Sequence, residues 1–199
     1  MSVLASDSEN VLVKRSKQGD VAAFEELIAA YQKKVLNLAF RMLGNSADAE
    51  DAAQDIFVRV FKAIPNFNEE SKFSTWLYKV STNVCLDLLR RRKRQNVNNT
   101  VSINQYSSDE EEYELPVEDK APTPYEQAQK SEAMRALERA LDQLGEEQKA
   151  VIVMRDINGL AYEEIAAAMN CSLGTIKSRI NRSRLALRKL LENDKELFI

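Results

Sequence analysis

The chain has 199 residues, 44% hydrophobic and 30% charged, with a formal net charge of −3, which suits one large soluble domain or two small ones. Histidine is absent, and this excludes His-based catalytic triads and zinc sites that need imidazole. The two cysteines, Cys85 and Cys171, stand too far apart for a CxxC pair and read as reduced, buried thiols.

Charge is unevenly partitioned. Residues 1–95 carry 15 basic and 12 acidic side chains, residues 96–130 carry 2 and 8, and residues 131–199 carry 11 of each. An acidic total therefore does not argue against a nucleic-acid partner; the local pattern decides. The N-terminus, MSVLASDSEN, lacks the basic start and apolar run of a signal peptide, and no stretch approaches the ~18 apolar residues of a membrane span. A cytoplasmic protein with no direct membrane insertion is expected.

Helical periodicity begins early. Gly19 and Asp20 close a short helix and cap the next, in which Phe24, Leu27, Ile28, Tyr31, Val35, Leu38 and Met42 share one face until Gly44 stops it. Ser46 is the predicted cap of a third helix, with Asp48, Glu50 and Asp51 in its first turn, where the helix dipole favours acids. Its predicted buried face is Ala49, Ala53, Ile56, Phe57, Val60, Phe61 and Ile64, and Pro65 ends it. A fourth helix runs from about Ser74 into the basic run Arg90, Arg91, Arg92, Lys93 and Arg94. No alternating strand pattern interrupts these segments, so the expected fold is all-α.

Three of the four prolines fall between residues 116 and 124, in a polar, acidic stretch without apolar period. Residues 96–127 read as a flexible acidic linker, and about 30 such residues span roughly 30 Å as a coil and about 100 Å when stretched. The expected organisation is a helical module over 1–95, the linker, and a second helical module over 128–199.

In the second module, Met134, Leu137, Leu141 and Leu144 mark one helix stopped by Gly145, and Val151 and Ile152 mark another. Next come the alanine-rich AYEEIAAAM, a three-residue corner, and a basic helix. From Cys171 to Leu191 there are six basic side chains and no acid. Two helices joined by a tight corner, the second basic, describe a helix-turn-helix. Ser172 is its natural cap, and Leu173, Ile176, Ile180, Leu187 and Leu190 form its buried stripe. Opposite lie Thr175, Ser178, Asn181, Arg182 and Lys189, flanked by Lys177 and Arg188. Such a face suits a DNA major groove, with Arg or Lys on guanine, Asn on adenine and further cations on phosphates. Arg179, at the edge of the stripe, could serve either as an internal partner or as a phosphate contact. Glu163 and Glu164, on the preceding helix, read as solvated.

Upstream, Phe67, Phe73, Trp76 and Tyr78 stand among Asn68, Lys72, Ser74, Thr75 and Asn83. Aromatics among cations and amides suit single-stranded nucleic acid. Trp76 and Phe73 read more readily as core, which leaves Ser74, Thr75 and Asn83 as the better contact candidates.

The segments DAEDAAQDIFVRVFKAIPNF, KFSTWLYKVSTNVCLDLLRRRKR and LAYEEIAAAMNCSLGTIKSRINRSRLALRKLL, in that order, resemble the extracytoplasmic-function (ECF) sigma factors of bacterial RNA polymerase, in the sigma-70 family. The resemblance covers about four-fifths of the chain and implies a non-catalytic promoter-specificity subunit, with no cofactor and no metal. It implies that Asp51, Gln54, Asp55 and Val58 dock on the coiled coil of the polymerase β′ subunit, and that residues around Leu141 to Val151 contact the β flap. Asn68, Lys72, Phe73, Ser74, Thr75, Asn83 and the run Arg90–Arg94 would contact the melted minus-ten element. Thr175, Lys177, Ser178, Asn181, Arg182, Arg184 and Arg188 would contact the duplex minus-thirty-five element. Some relatives carry an aromatic residue where Asn181 stands, so this position departs from the family pattern and the resemblance does not fix its base preference. The family also implies an anti-sigma factor as partner, often membrane-anchored, and a linker whose acids, Asp109 to Glu112 among them, mimic nucleic acid. The competing expectation is an autonomous helix-turn-helix regulator, with residues 1–95 as a sensing or dimerising module.

Overall fold

Backbone breaks set the helix order in the N-terminal half. α1 (Val3–Lys17) ends where Gly19 turns left-handed, φ 89°, and α2 (Val21–Ala29) starts as Asp20 accepts the Ala23 N–H at 3.0 Å. The periodic stretch read as a single helix is divided. α3 (Gln32–Leu43) restarts after Tyr31, whose own N–H closes a tight turn onto the Ile28 carbonyl at 2.8 Å. The break lets the Tyr31 ring turn inward against Phe73 while its hydroxyl donates to Glu9 at 2.5 Å. Burial and the Glu9 carboxylate push the Tyr31 phenol well above its ordinary pKa, so it stays a neutral donor.

Gly44 caps α3 in the left-handed region, φ 73°. The cap of α4 (Ser46–Ala63) is Asn45, whose side chain accepts the Asp48 N–H at 3.1 Å, one residue before the predicted Ser46. Pro65 lies in the short 3₁₀ turn Ile64–Asn66, and α5 (Phe73–Asn98) is the longest element. Val35, Leu38, Ala39, Met42, Ile56, Val60 and Leu77 bury together between α3, α4 and α5.

The computed structural model describes residues 3–98 and 124–198. Most of the predicted linker, Asp109 to Glu112 included, therefore lies outside the described residues, and helix occupies both of its predicted ends. α6 (Pro124–Asp142) and α7 (Glu146–Ile152) are followed by a π-helical turn, Val153–Ile157, that the sequence pattern did not announce. α8 (Tyr162–Met169) and α9 (Leu173–Leu190) then form the helix-turn-helix. Among the described residues every regular element is helical.

The two halves pack on each other. α5 lies along α8, while α3 and α5 also meet α7 and the π turn. Buried side chains from Val13 to Cys85 and from Ala150 to Ile180 belong to one continuous apolar core. Polar contacts cross the same boundary: Thr75 Oγ1 donates to Glu164 at 3.0 Å, Thr82 Oγ1 to Met154 Sδ at 3.5 Å, and Arg41 pairs with Glu138 at 2.7 Å. A smaller cluster, Leu141, Leu144 and Ile152 with Leu137, Ala186, Leu187 and Leu190, holds α6 to α7 and α9.

Candidate nucleic-acid and polymerase interface

The corner before α9 is built by three residues. Asn170 takes the left-handed conformation, φ 51°, which a short amide side chain tolerates, and reverses the chain after α8. Ser172 then accepts the Thr175 N–H at 3.1 Å and caps α9. On the inner side, Ile176 and Ile180 are buried as predicted, and Ser183 joins them because its hydroxyl donates to the Arg179 carbonyl at 2.8 Å. Leu187 and Leu190 are half-buried over the smaller cluster. In α8 the small Ala168 is buried, while Ala167 is exposed.

Outward, α9 exposes Thr175, Lys177, Ser178, Asn181, Arg182, Arg188 and Lys189. At 100° per residue, Ser178, Asn181, Arg182 and Lys189 fan around one residue that sequence reasoning missed, Leu185, 59% exposed. A polarity count treats a leucine in a helix as core; only its phase, opposite Ile176 and Ile180, could have flagged it. Two cations are engaged inside the protein. Arg184 forms a two-pronged pair with Asp156 of the π turn, its Nε at 3.1 Å, and Arg179 pairs with Glu147 of α7 at 3.0 Å. Asp156 also holds the Arg184 guanidinium above its ordinary pKa. Arg179 thus takes the internal role, and Arg184 braces α9 against the π turn while its side chain stays largely exposed.

The upstream candidates divide in two. Asn68, Lys72 and Asn83 are exposed and Ser74 is half-buried. Phe73 is buried in an aromatic nest with Tyr31, Phe67 and Trp76, with ring centroids 5.0–6.1 Å apart, so its role in this structure is packing. Thr75, expected to face solvent, is only 6% exposed because α8 lies over it. Its partner Glu164, expected to be solvated, also accepts the Ala161 N–H at 2.8 Å and caps α8. In the basic run, Arg90, Arg91, Lys93 and Arg94 are exposed, and Arg92 is half-buried and paired with Asp48 of α4. Between α1 and the turn before α5, a cavity of about 310 Å³ is lined by Glu9, Asn10, Lys14, Glu69 and Lys72 among others. Glu69 is left-handed there, φ 59°, and is held by Lys17 at 2.7 Å, which keeps its carboxyl below the ordinary range.

On α4, Asp51, Gln54, Asp55 and Val58 share the outward face, and Asp55 is braced by Arg59 at 2.8 Å. Phe61, predicted as core, is 44% exposed instead: its ring meets Phe24 edge-on at 5.0 Å, and Val58, three positions before it on α4, is exposed as well. Acids around an apolar strip suit a basic partner with an apolar seam. Among the described residues no group of acids and cysteines could hold a metal ion, and no helix is long and apolar enough to cross a membrane.

Comparison with known proteins gives this geometry a family. Residues 27–95 match Sigma-70 region 2, and residues 134–198 match Sigma-70 region 4. The chain is 35% identical over 187 residues to ECF RNA polymerase sigma factor SigW of Bacillus subtilis, covering 91% of this chain and 95% of that one. It is 34% identical over 181 residues to the ECF RNA polymerase sigma-E factor of Escherichia coli, covering 90% and 92%. The match to SigE of Mycolicibacterium smegmatis is 39% identical over 176 residues, 87% of this chain and 64% of that protein's length. Among solved structures, CnrH in complex with the cytosolic domain of CnrY is 25% identical, with a TM-score of 0.66 over 94% of this chain and 99% of that one. The sigma factor RpoE in complex with the anti-sigma factor NepR from Bartonella quintana, 24% identical, shares the fold with a TM-score of 0.65 over 85% and 96%. The region 2 match over residues 27–95 does not favour the alternative of a sensing or dimerising module. The chain belongs to the ECF sigma factors, the sigma-70-family subunits that direct bacterial RNA polymerase to promoters.

Proposed function

We propose that this sigma factor grips core polymerase through the outward face of α4, reads the minus-ten element with the turn before α5 and the exposed side of α5, and reads the minus-thirty-five element with α9. The observation that carries this assignment is α9 itself. Its outward face holds cations and amides with no acid from Cys171 to Leu191, on a helix fixed at its start by Ser172 and from behind by Ile176 and Ile180. Asp51, Gln54, Asp55 and Val58 supply the β′ coiled-coil contact, widened by Phe61, and α6–α7 face the β flap.

At the minus-ten element, Asn68, Lys72, Ser74 and Asn83 contact melted bases, while Arg90, Arg91, Lys93 and Arg94 hold phosphates. Extracting a base from the stack costs a few kcal/mol, which polar contacts around the extruded base offset. At the minus-thirty-five element, Asn181 and Arg182 reach base edges, Lys177 and Arg188 hold phosphates, and Leu185 offers apolar surface to a thymine methyl. The chain itself performs no catalysis and works in the cytoplasm. RpoE and CnrH were each solved with a protein partner, NepR and the cytosolic domain of CnrY. By that likeness an anti-sigma factor is the expected inhibitor.

The test is transcription by purified core polymerase on a candidate promoter with and without the chain. Transcripts from one start site only when the chain is present support the assignment; specific operator binding without any effect on polymerase overturns it. Within that assay, Arg182→Ala should weaken minus-thirty-five recognition by about 1–3 kcal/mol. An equal loss on unrelated DNA would make Arg182 a phosphate contact instead.

A further inference from the structure

The turn that presents Asn68 and Lys72 carries an uncommon backbone. Among the described residues only Glu69 and Asn170 take positive φ without being glycine. Asn170 has a short amide that suits this region. Glu69, at φ 59°, has a long side chain that does not, so its conformation needs support from elsewhere. That support is Lys17, 52 positions earlier at the end of α1, whose Nζ donates to the Glu69 carboxylate at 2.7 Å.

α1 is a fixed base for this contact. Val13 and Ser16 are buried, Tyr31 donates to Glu9, and α1 packs on the 3₁₀ turn Ile64–Asn66 just ahead of the reading turn. The reading turn is pinned at both ends as well, because Phe67 and Phe73 are buried against each other. Between them Asn68 is exposed beside Glu69, and its Oδ1 accepts the Glu70 N–H at 3.5 Å. With the ends fixed, the backbone at Glu69 sets the direction in which Asn68 and Lys72 project. The cavity of about 310 Å³ has Lys72 on one wall and Glu9 and Asn10 of α1 on the other, so its width follows the same backbone.

We propose that Lys17 and Glu69 are positioning residues for minus-ten recognition: α1 holds the turn in the left-handed conformation that aims Asn68 and Lys72 at the melted bases. This rests on the minus-ten assignment above, and it adds to the reading apparatus a helix that lies outside the region 2 match. The pair is partly exposed, with the Glu69 side chain 41% accessible, so it contributes little to global stability. A left-handed Glu costs a free energy of similar order, which is why a modest pair decides between conformers of the turn. Affinity for a base that requires the aimed turn then scales with the fraction of chains that hold it.

The test uses full-length chain bound to core polymerase. The probe is a promoter fragment with a pre-melted minus-ten segment, in which each melted base is replaced in turn by the others. Wild-type holoenzyme should discriminate among bases within the segment. Lys17→Met and Glu69→Ala should each lower that discrimination roughly three- to fivefold by weakening the preferred base. Binding of the chain to a fragment with the minus-thirty-five element alone, and its thermal midpoint, should not change. Glu69→Gly separates conformation from contact: it should keep discrimination within about 1.5-fold of wild type, because glycine takes positive φ without strain. Adding Lys17→Met to Glu69→Gly should have no further effect. An equal loss for every base, or a loss that Lys17→Met still causes in the Glu69→Gly chain, overturns the proposal and makes Lys17 a phosphate contact. A loss in Glu69→Gly as large as in Glu69→Ala also overturns it, since the carboxylate would then act on DNA directly. Base preference that survives Lys17→Met overturns the brace alone, whereas wild-type holoenzyme without any preference in the segment overturns the minus-ten assignment, so the two failures are told apart.

Discussion

Arg184 and Asp156 show how one ion pair can set the character of a DNA-facing helix. The pair is largely exposed, so it contributes little to stability, but it withholds one cation from the field around α9. Asp156→Ala should leave the fold intact and free Arg184 for phosphate. Non-specific DNA affinity should rise, and the slope of log affinity against log salt should steepen by about one, measured by titration across a salt series. The two thiols differ just as clearly. Burial pushes the Cys85 thiol up to about 12, so almost no thiolate forms near neutrality, whereas Cys171 is half-buried at the α8–α9 corner. A thiol reagent applied to native protein should modify Cys171 and leave Cys85 untouched until denaturant is added. Fast modification of Cys85 in the native state would contradict the core described here.

At the scale of elements, local signals placed the boundaries and the environment chose the faces. Gly19, Gly44 and Ser172 stop or cap where their backbone chemistry demands. Removing the hydroxyl with Ser172→Ala should cost about 1 kcal/mol in thermal or denaturant unfolding. The loss belongs to α9, so minus-thirty-five binding should weaken alongside it. Tyr31 illustrates a signal that periodicity misreads. Its phase fits a single helix, yet the energy gained by burying its ring against Phe73 and donating to Glu9 favours a break. The π turn at Val153–Ile157 is similar, since no local propensity marks an extra residue in a helical turn. That turn brings Asp156 to Arg184, a contact 28 positions apart in the chain. Phe61 and Leu185 remain exposed for the complementary reason: Phe24 covers only part of the Phe61 ring, and Leu185 faces away from the buried Ile176 and Ile180.

At the scale of the whole molecule, one continuous core predicts one cooperative unfolding unit. Calorimetry of the free chain should give a single transition, although two family regions are present. Met154 lies at the seam, buried against Thr82. Met154→Ala should destabilise both halves together by about 2–5 kcal/mol, and two separated transitions would show that the seam is weaker than its packing implies. The sequence by itself determined that the chain is helical, that a polar acidic stretch divides it, and that α9 is basic on one side, because periodicity, caps and charge are local properties. Only the tertiary structure decided that Thr75 and Glu164 face each other across 89 positions, that Arg179 and Arg184 are held by Glu147 and Asp156, and that Phe61 stays at the surface. Those outcomes depend on which helix faces meet, and burial is a property of the assembled surfaces, which no stretch of chain specifies alone.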